Sequence, residues 1–331
     1  MSDTKYDVLA IGNAIVDIIA KCDTAFLVEQ EIAKGGMTLI DMARAEQLYS
    51  DMGPAIETSG GSAGNTAAGI ASFGGKVAYI GKVADDHLGK IFRHDIKAIG
   101  VDYNTPALDQ GEMTARSMIL VTPDGERSMN TYLGACAKLS AKDIDPEIVA
   151  QSKITYFEGY LWDPEEAKAA IREAARIAHE NERLVAMTLS DAFCVDRYRD
   201  EFLELMRSGT VDICFANEGE LKSLYQTSDL TTGMNAIRED CNLSAITLGA
   251  GGSMIVTREK TGQIDAQPID ELVDTTGAGD LYAAGFLFGL TNGKELGECA
   301  ILGGIAASEV IQHIGPRPQV SLKELAEQLG L

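Results

Sequence analysis

The 331-residue chain is short of basic side chains, with 28 Lys and Arg against 50 Asp and Glu and a formal charge of −22. Affinity for nucleic acid comes mainly from Lys and Arg displacing counterions, so nucleic acid is excluded as a partner. Long apolar runs are also missing: the longest stretch of apolar residues and glycine, Leu281 to Leu290, is far below the ~20 residues that span a bilayer. The opening MSDTKYD has no basic region followed by an apolar stretch, and the expectation is a cytoplasmic protein with no membrane partner. The six cysteines form no C-x-x-C pair and are read as reduced and structural. The four histidines make no H-E-x-x-H and no cluster at metal-ligand spacing, which removes a transition-metal site and a histidine-based mechanism. A Walker-type loop is absent as well. None of the G-K dipeptides at 75–76, 81–82, 89–90 and 293–294 has a glycine five residues before its own glycine, or Ser or Thr after its lysine.

What is present is the composition of a folded α/β protein, 45 % hydrophobic and 24 % charged. The apolar run from Tyr6 to Gly12 suits a buried parallel strand, and a second strand follows at Val16 to Lys21. Gly36 to Ile40, Thr114 to Val121 and Arg127 to Leu133 predict further short strands, the last two joined by the turn TPDG. They form a small separate sheet in this reading. Between them lie a helix rich in small residues at 63–73, a strand at 76–83, and a helix at 86–99 closed by Gly100. Beyond residue 135, strands at 154–157, 184–189, 211–216, 244–248 and 252–257 alternate with helices at 164–181, 196–208, 218–225 and 232–240. Two helices dense in Ala and Gly close the chain, at 280–290 and 294–313. Such alternation predicts a doubly wound, mostly parallel sheet flanked by helices. The small sheet becomes a lid made of insertions at about 15–45 and 110–135 in one domain spanning 1–331.

The most informative string is Asp274-Thr275-Thr276-Gly277-Ala278-Gly279-Asp280, which runs directly into an alanine-rich helix. Gly277 and Gly279 let the backbone turn and present successive N–H groups at a helix start, where free amides and the macrodipole attract an anion. Asp280 in the first turn then stands beside a phosphate cradle and is placed to accept a proton from an attacking hydroxyl. The plainer alternative makes Asp280 a cap and the glycines a tight turn. Gly60-Gly61-Ser62-Ala63-Gly64-Asn65 opens another helix, and Asn13 and Asp17 follow the first strand. Polar groups just past strand ends converge on the ligand crevice of open α/β sheets, and one carboxylate with an amide suits vicinal hydroxyls. Individually, Asp17 and Asn65 read equally well as a turn or a cap. Asn217-Glu218-Gly219-Glu220 places a strand-end carboxylate where Mg²⁺ takes one or two such ligands plus water. Thr247 to Gly252 is a glycine-rich turn at the next strand end, suited to a flat base and its phosphates or simply to a hairpin.

Taken in order along the chain, Gly60-Gly61 with Asn65, GKVADDHLGKIFRHDIKAIGV at 81–101, Asn217-x-x-Glu220 and DTTGAGD at 274–280 resemble the ribokinase-like (PfkB) family of sugar and nucleoside kinases. GNAIVDI, GGSAGN, LSDAF and VDICFANEGE are most similar to the members that act on adenosine. The resemblance implies a ribokinase-like fold and transfer of a phosphoryl group from ATP to the 5′-hydroxyl of adenosine, giving AMP in purine salvage. It implies Asp280 as catalytic base, Gly277, Ala278 and Gly279 as the anion hole, and Arg127 approaching the phosphates from the lid. Asn13, Asp17, Gly60, Gly61 and Asn65, with Ser62 beside them, are expected to hold the ribose. Phe193 and Leu161 fall where relatives place the base; because Leu161 is not aromatic, Tyr160 and Trp162 are the alternatives. Asn217, Thr247, Gly249 and Gly252 are expected on the ATP side, Glu220 at Mg²⁺ through water, and Asp274 near a monovalent cation, K⁺. Met113, Met118 and Met129 in the lid favour an apolar base slot. The alternative acceptor is a free sugar such as ribose or fructose, and a third reading is a nucleoside-binding protein without catalysis. The chain is expected to be a monomer or a homodimer paired through its lid.

Overall fold

In the computed structural model, which describes residues 4–331, fourteen strands fall into two sheets. They are β1 (Tyr6–Ile11), β2 (Ile15–Lys21), β3 (Met37–Leu39), β4 (Ala55–Ser59), β5 (Val77–Ile80), β6 (Asp102–Tyr103), β7 (Ala115–Val121), β8 (Arg127–Tyr132), β9 (Ser152–Glu158), β10 (Leu184–Thr188), β11 (Ile213–Asn217), β12 (Leu243–Thr247), β13 (Ser253–Thr257) and β14 (Thr261–Ile264). The large sheet has the order β14-β13-β12-β11-β10-β9-β1-β5-β6. Every pair from β12 to β6 is parallel, and β13 and β14 add an antiparallel edge. β1 lies between β5 and β9, with Val8 level with Val77 and Ile154. Both of its faces are covered, which is why its sequence is a continuous apolar run rather than an alternation.

Twelve helices accompany them: α1 (Thr24–Glu29), α2 (Met42–Asp51), α3 (Ser62–Ser72), α4 (His87–Ala98), α5 (Pro146–Ala150), α6 (Glu165–Glu180), α7 (Ala192–Arg207), α8 (Glu218–Leu224), α9 (Leu230–Asp240), α10 (Ala278–Thr291), α11 (Leu296–Val310) and α12 (Leu322–Gln328). α3, α4, α10, α11 and α12 pack on one face of the large sheet, against Val8 and Ala10. α5 to α9 pack on the other, against Leu9 and Ile11. This is the doubly wound arrangement that the alternating pattern predicts. α10 and α11 are rich in small residues because their backbones nearly touch: a Cβ on Gly285 would sit 2.3 Å from the carbonyl oxygen of Leu302. Among the described residues no helix is long and apolar enough to cross a membrane.

The small sheet has the order β3-β8-β7-β2-β4. Its period-2 alternation sorts two surfaces. Ile18, Ala20, Met118, Leu120 and Tyr132 face α1 and α2 in a core of their own, while Ile15, Asp17, Ser117, Ile119 and Met129 face a cavity between the two sheets. The first excursion runs on to Ser59, past the 15–45 expected, because β4 adds an edge strand whose mostly exposed AIETS carries little apolar signal. The second, Ala115 to Tyr132, falls within 110–135. α7 starts at Ala192 rather than 196, since Asp191 accepts from the Cys194 N–H and caps it there.

Replacing Gly285 by Leu should force α10 and α11 apart. Overpacking of this kind costs ~3 kcal/mol, and thermal unfolding should show Tm lower by ~5 °C or more.

Candidate active site

The N-termini of α3 and α10 meet at a cavity of about 770 Å³ that lies between the sheets, beyond the C-terminal ends of β1, β9, β11 and β12. Gly277 caps α10 in a left-handed conformation, φ 80°, and no side-chain acceptor covers the first-turn N–H groups. A side chain there would also strike Pro316, whose carbonyl oxygen would lie 2.8 Å from the Cβ. Gly277, Ala278 and Gly279 line the cavity together with Asp280. The Asp280 carboxylate accepts from Ser62 Oγ at 2.6 Å and from Asn65 Nδ2 at 2.9 Å, so two residues of α3 hold it from the opposite side. Burial pushes its pKa up to about 6, against the opposing pull of those two hydrogen bonds.

Glu158, Asp17 and Glu220 also line this space and stand above the ordinary carboxylate range. Glu158, at the end of β9, is buried and accepts from the Asn13 N–H at 2.9 Å, Asn13 Nδ2 at 2.8 Å and the Ala63 N–H at 2.8 Å, which ties the β1 end to the start of α3. Burial pushes it up to about 7. Asp17, on β2, is pushed by burial up to about 7, with Arg317 and then Arg127 pulling it down. Glu220 is also pushed by burial up to about 7, and the negative charges of Asp191 and Asp280 add to the shift. Glu220 and Asn217 cap α8 reciprocally: Asn217 Oδ1 accepts from the Glu220 N–H at 2.8 Å, and Glu220 Oε2 accepts from the Asn217 N–H at 2.9 Å.

Arg127 crosses from the small sheet to pair with Asp274. The same carboxylate accepts from the Gly315 N–H at 3.1 Å and the Thr276 N–H at 3.0 Å, bracing the loop ahead of α10. The Nε and Nη1 of Arg127 are buried without a hydrogen-bond partner.

Most residues singled out in the sequence therefore converge. Asn13, Asp17, Gly61, Ser62, Asn65, Arg127, Asn217, Glu220, Thr247, Gly249 and Asp274 all line the cavity with residues 277–280. Five do not, or face elsewhere. Leu161 is buried in the core under α6 and α7, because the short 3-10 turn Gly159–Trp162 points it inward and leaves Tyr160 to line the cavity. Trp162 is also fully buried and donates to Glu201 Oε2 at 2.9 Å. Phe193 is 58 % exposed on the first turn of α7, with the Arg197 guanidinium over its ring. Gly60 lies behind Asp17, where a Cβ would fall 2.1 Å from Oδ2, and Gly252 packs against the Ile264 carbonyl in the β12–β13 connection. Of Met113, Met118 and Met129, only Met129 reaches the cavity; Met118 faces α1 and α2, and Met113 is exposed. Glu158 was missed by sequence reasoning, although a carboxylate closing the apolar strand ITYF carries the strand-end signal used for Asp17 and Glu220.

A family model for pfkB family carbohydrate kinases matches residues 9–322. The chain belongs to that family. Among solved structures, the adenosine kinase of Sinorhizobium meliloti is 63 % identical, with 98 % of this chain and 99 % of that one covered and a TM-score of 0.95. A probable sugar kinase protein of Rhizobium etli is 58 % identical, with 99 % of each chain covered and a TM-score of 0.96. Among curated relatives, the adenosine kinase of Saccharomyces cerevisiae is 26 % identical over 93 % of this chain and 95 % of its own length. The chain is thus a pfkB-family kinase with the α/β ribokinase-like fold.

The burial of Asp280 has a consequence for stability in this kinase. A folded-state pKa of about 6 for Asp280, above its ordinary 3.8, means that the folded protein binds the proton more tightly, so stability is lost as pH rises from about 4 through 6. Asp280→Asn removes that burden, and Asn65, whose buried Oδ1 has no partner, can turn over to accept from the new amide. The variant should melt a few degrees above the wild type at pH 8, with the gap closing at pH 5, measured by calorimetry.

Proposed function

We propose that this kinase transfers the γ-phosphoryl group of ATP to the 5′-hydroxyl of adenosine, releasing ADP and AMP. The observation that carries the reading is the Asp280 carboxylate, set in the first turn of α10 beside uncapped helix amides and open to the cavity. Asp280 takes the proton of the attacking hydroxyl as the O–P bond forms, and the amides around Gly277 to Gly279 stabilise charge on the migrating phosphoryl group. Ser62 and Asn65 fix the carboxylate for that attack. Asn13, Asp17 and Gly61 hold the ribose, and Asn217, Thr247 and Gly249 flank ATP. Arg127, which lines the same cavity and has two buried guanidinium nitrogens without a partner, approaches the phosphates while the small sheet acts as a lid that excludes water. The match to a Sinorhizobium meliloti adenosine kinase supports adenosine as acceptor, and Tyr160, Ile15, Ile119 and Met129 give the cavity the apolar wall that a purine needs. The reaction belongs to purine salvage in the cytoplasm, where ATP is at hand.

The residues present fit Mg²⁺ held mainly by water and phosphate: Asp17, Glu158, Glu220 and Asp280 line one cavity, the charge of Asp280 raises the pKa of the other three, and Glu220 is the one assigned to the ion through water. Bound with ATP, Mg²⁺ supplies charge neutralisation for the phosphates. Asp274 does not fit K⁺ in this arrangement, because its two oxygens already accept from Arg127, Gly315 and Thr276. No step is assigned to a monovalent cation. A sugar acceptor is the second reading, favoured by the buried hydroxyl pair Ser117 and Thr131, 2.9 Å apart in the cavity wall.

ADP release from Mg²⁺-ATP across adenosine, other nucleosides, ribose and fructose ranks the acceptors, and adenosine should lead in kcat/KM. A faster sugar would reverse the order of the two readings. Asp280→Asn should lower kcat by ~10³-fold or more while adenosine still binds; turnover at the wild-type rate would remove Asp280 as base. Because the base works only ionised, wild-type kcat should fall as pH drops through about 6.

A further inference from the structure

The loop ahead of α10 is tied to the small sheet by a charge pair between the two sheets. Arg127 opens β8, Asp274 precedes residues 277–279, and their paired side chains are only 8 % and 4 % exposed, so no dissolved ion reaches Asp274 without displacing the arginine. Asp274 is also the carboxylate expected near K⁺, and its surroundings decide how its charge is balanced. Its Oδ2 accepts from Arg127 Nη2 and from the Gly315 N–H at 3.1 Å, and its Oδ1 accepts from the Thr276 N–H at 3.0 Å. Hard cations require converging oxygen lone pairs, whereas the atoms turned towards this carboxylate are hydrogen-bond donors. Main-chain oxygens of the same loop are committed as well. The Ile311 carbonyl accepts from the Val273 N–H at 2.9 Å and the Asp274 N–H at 3.1 Å, and the Thr275 carbonyl accepts from the Ala278 N–H at 3.3 Å. A buried carboxylate requires an opposite charge, and here the guanidinium is that charge.

We infer that Arg127 takes the place of a monovalent cation in this kinase: its guanidinium balances Asp274 and fixes the loop at 274–279, so that the phosphate cradle forms and turnover proceeds without K⁺. This rests on the reading of residues 277–279 as the anion hole given above, and it holds for a nucleoside or a sugar acceptor alike. The packing around the pair supports it. Thr276 and Gly315, whose amides share Asp274 with Arg127, bring together the residue before Gly277 and the loop after α11. Pro316, next to Gly315, packs on Gly277 itself, where a Cβ would lie 2.8 Å from its carbonyl oxygen. Fixing Asp274 therefore fixes both sides of the turn that starts α10. The β7–β8 turn leads into the same contact: a Cβ on Gly125 would lie 3.9 Å from the Val273 carbonyl oxygen. Arg127 commits Nη2 to Asp274, while Nε and Nη1 are buried without a partner among the described residues. One planar guanidinium can thus balance the loop and still offer donors to a phosphate oxygen.

The test measures kcat with adenosine and Mg²⁺-ATP, and Tm without ligands, on protein freed of alkali-metal ions. Each is read in KCl and in tetramethylammonium chloride at equal ionic strength, the second cation being too bulky to enter a buried site. Wild type should give the same kcat and the same Tm in both salts, and Arg127→Lys, which keeps the positive charge, should be equally insensitive. Arg127→Ala leaves Asp274 buried without a counter-charge and with room for an ion, so its Tm should fall by ~5 °C or more. KCl should then raise the Tm of that variant by ~2 °C or more over tetramethylammonium chloride, and its kcat several-fold. Loss of a phosphate contact alone would lower kcat equally in the two salts. Wild type stimulated several-fold by K⁺ overturns the inference, as does an Arg127→Ala variant whose Tm and kcat are the same in both. If Arg127→Ala does not fold, wild type and Arg127→Lys carry the test, and a K⁺ requirement in either overturns it. Wild type that turns over no acceptor in either salt refutes the proposed function; turnover of adenosine that depends on K⁺ refutes only the role of Arg127.

Discussion

The structure depends on one shared carboxylate. Asp280 begins α10, yet its two oxygens are held by Ser62 and Asn65, which belong to α3 more than two hundred residues earlier in the chain. That contact requires the two helices to lie side by side with their N-termini level, and small residues make it possible. A Cβ on Gly69 would lie 2.6 Å from Ala284 Cβ, so the alanines and glycines of both helices set the distance at which the carboxylate is presented. Packing between helices thereby determines how the cavity's chemistry is arranged.

Burial does the rest. Asp17, Glu158, Glu220 and Asp280 all stand above their ordinary pKa range because the strand ends and helix starts around them exclude water. Three of the four are compensated by local hydrogen bonds. Glu158 collects three donors from Asn13 and Ala63, Glu220 is closed into a capping box, and Asp280 has its serine and asparagine. The residual cost is borne by the two large cores on either side of the sheet, in keeping with the general finding that sites trade stability for perturbed ionisation.

The two-sheet design supplies the walls. Because side chains alternate along a strand, β2 and β7 offer one row to α1 and α2 and the other to the cavity, so a single stretch of sequence builds a core and a binding surface at once. The loop at 315–317 closes the back of that arrangement, reaching the α10 loop through Gly315 and Pro316 and the edge of the small sheet through Arg317.

What the sequence determined by itself was whatever local periodicity and backbone freedom encode. The apolar run of β1, the alternating helices and strands after residue 135, the glycine-opened helix starts at 61 and 277 and the strand-end polar groups were all legible, because each follows from a few neighbouring residues. Only the tertiary structure decided which of those groups meet. It turned Leu161 into the core and Tyr160 to the cavity, and it left Phe193 outside on α7. It also carried the first excursion of the small sheet on to β4, paired Asp274 with Arg127, and brought Glu158 to the site from a segment with no motif of its own. The direction of one side chain in a short turn, and the partner of a buried charge, are set by packing between elements far apart in the chain, and no local pattern contains that information.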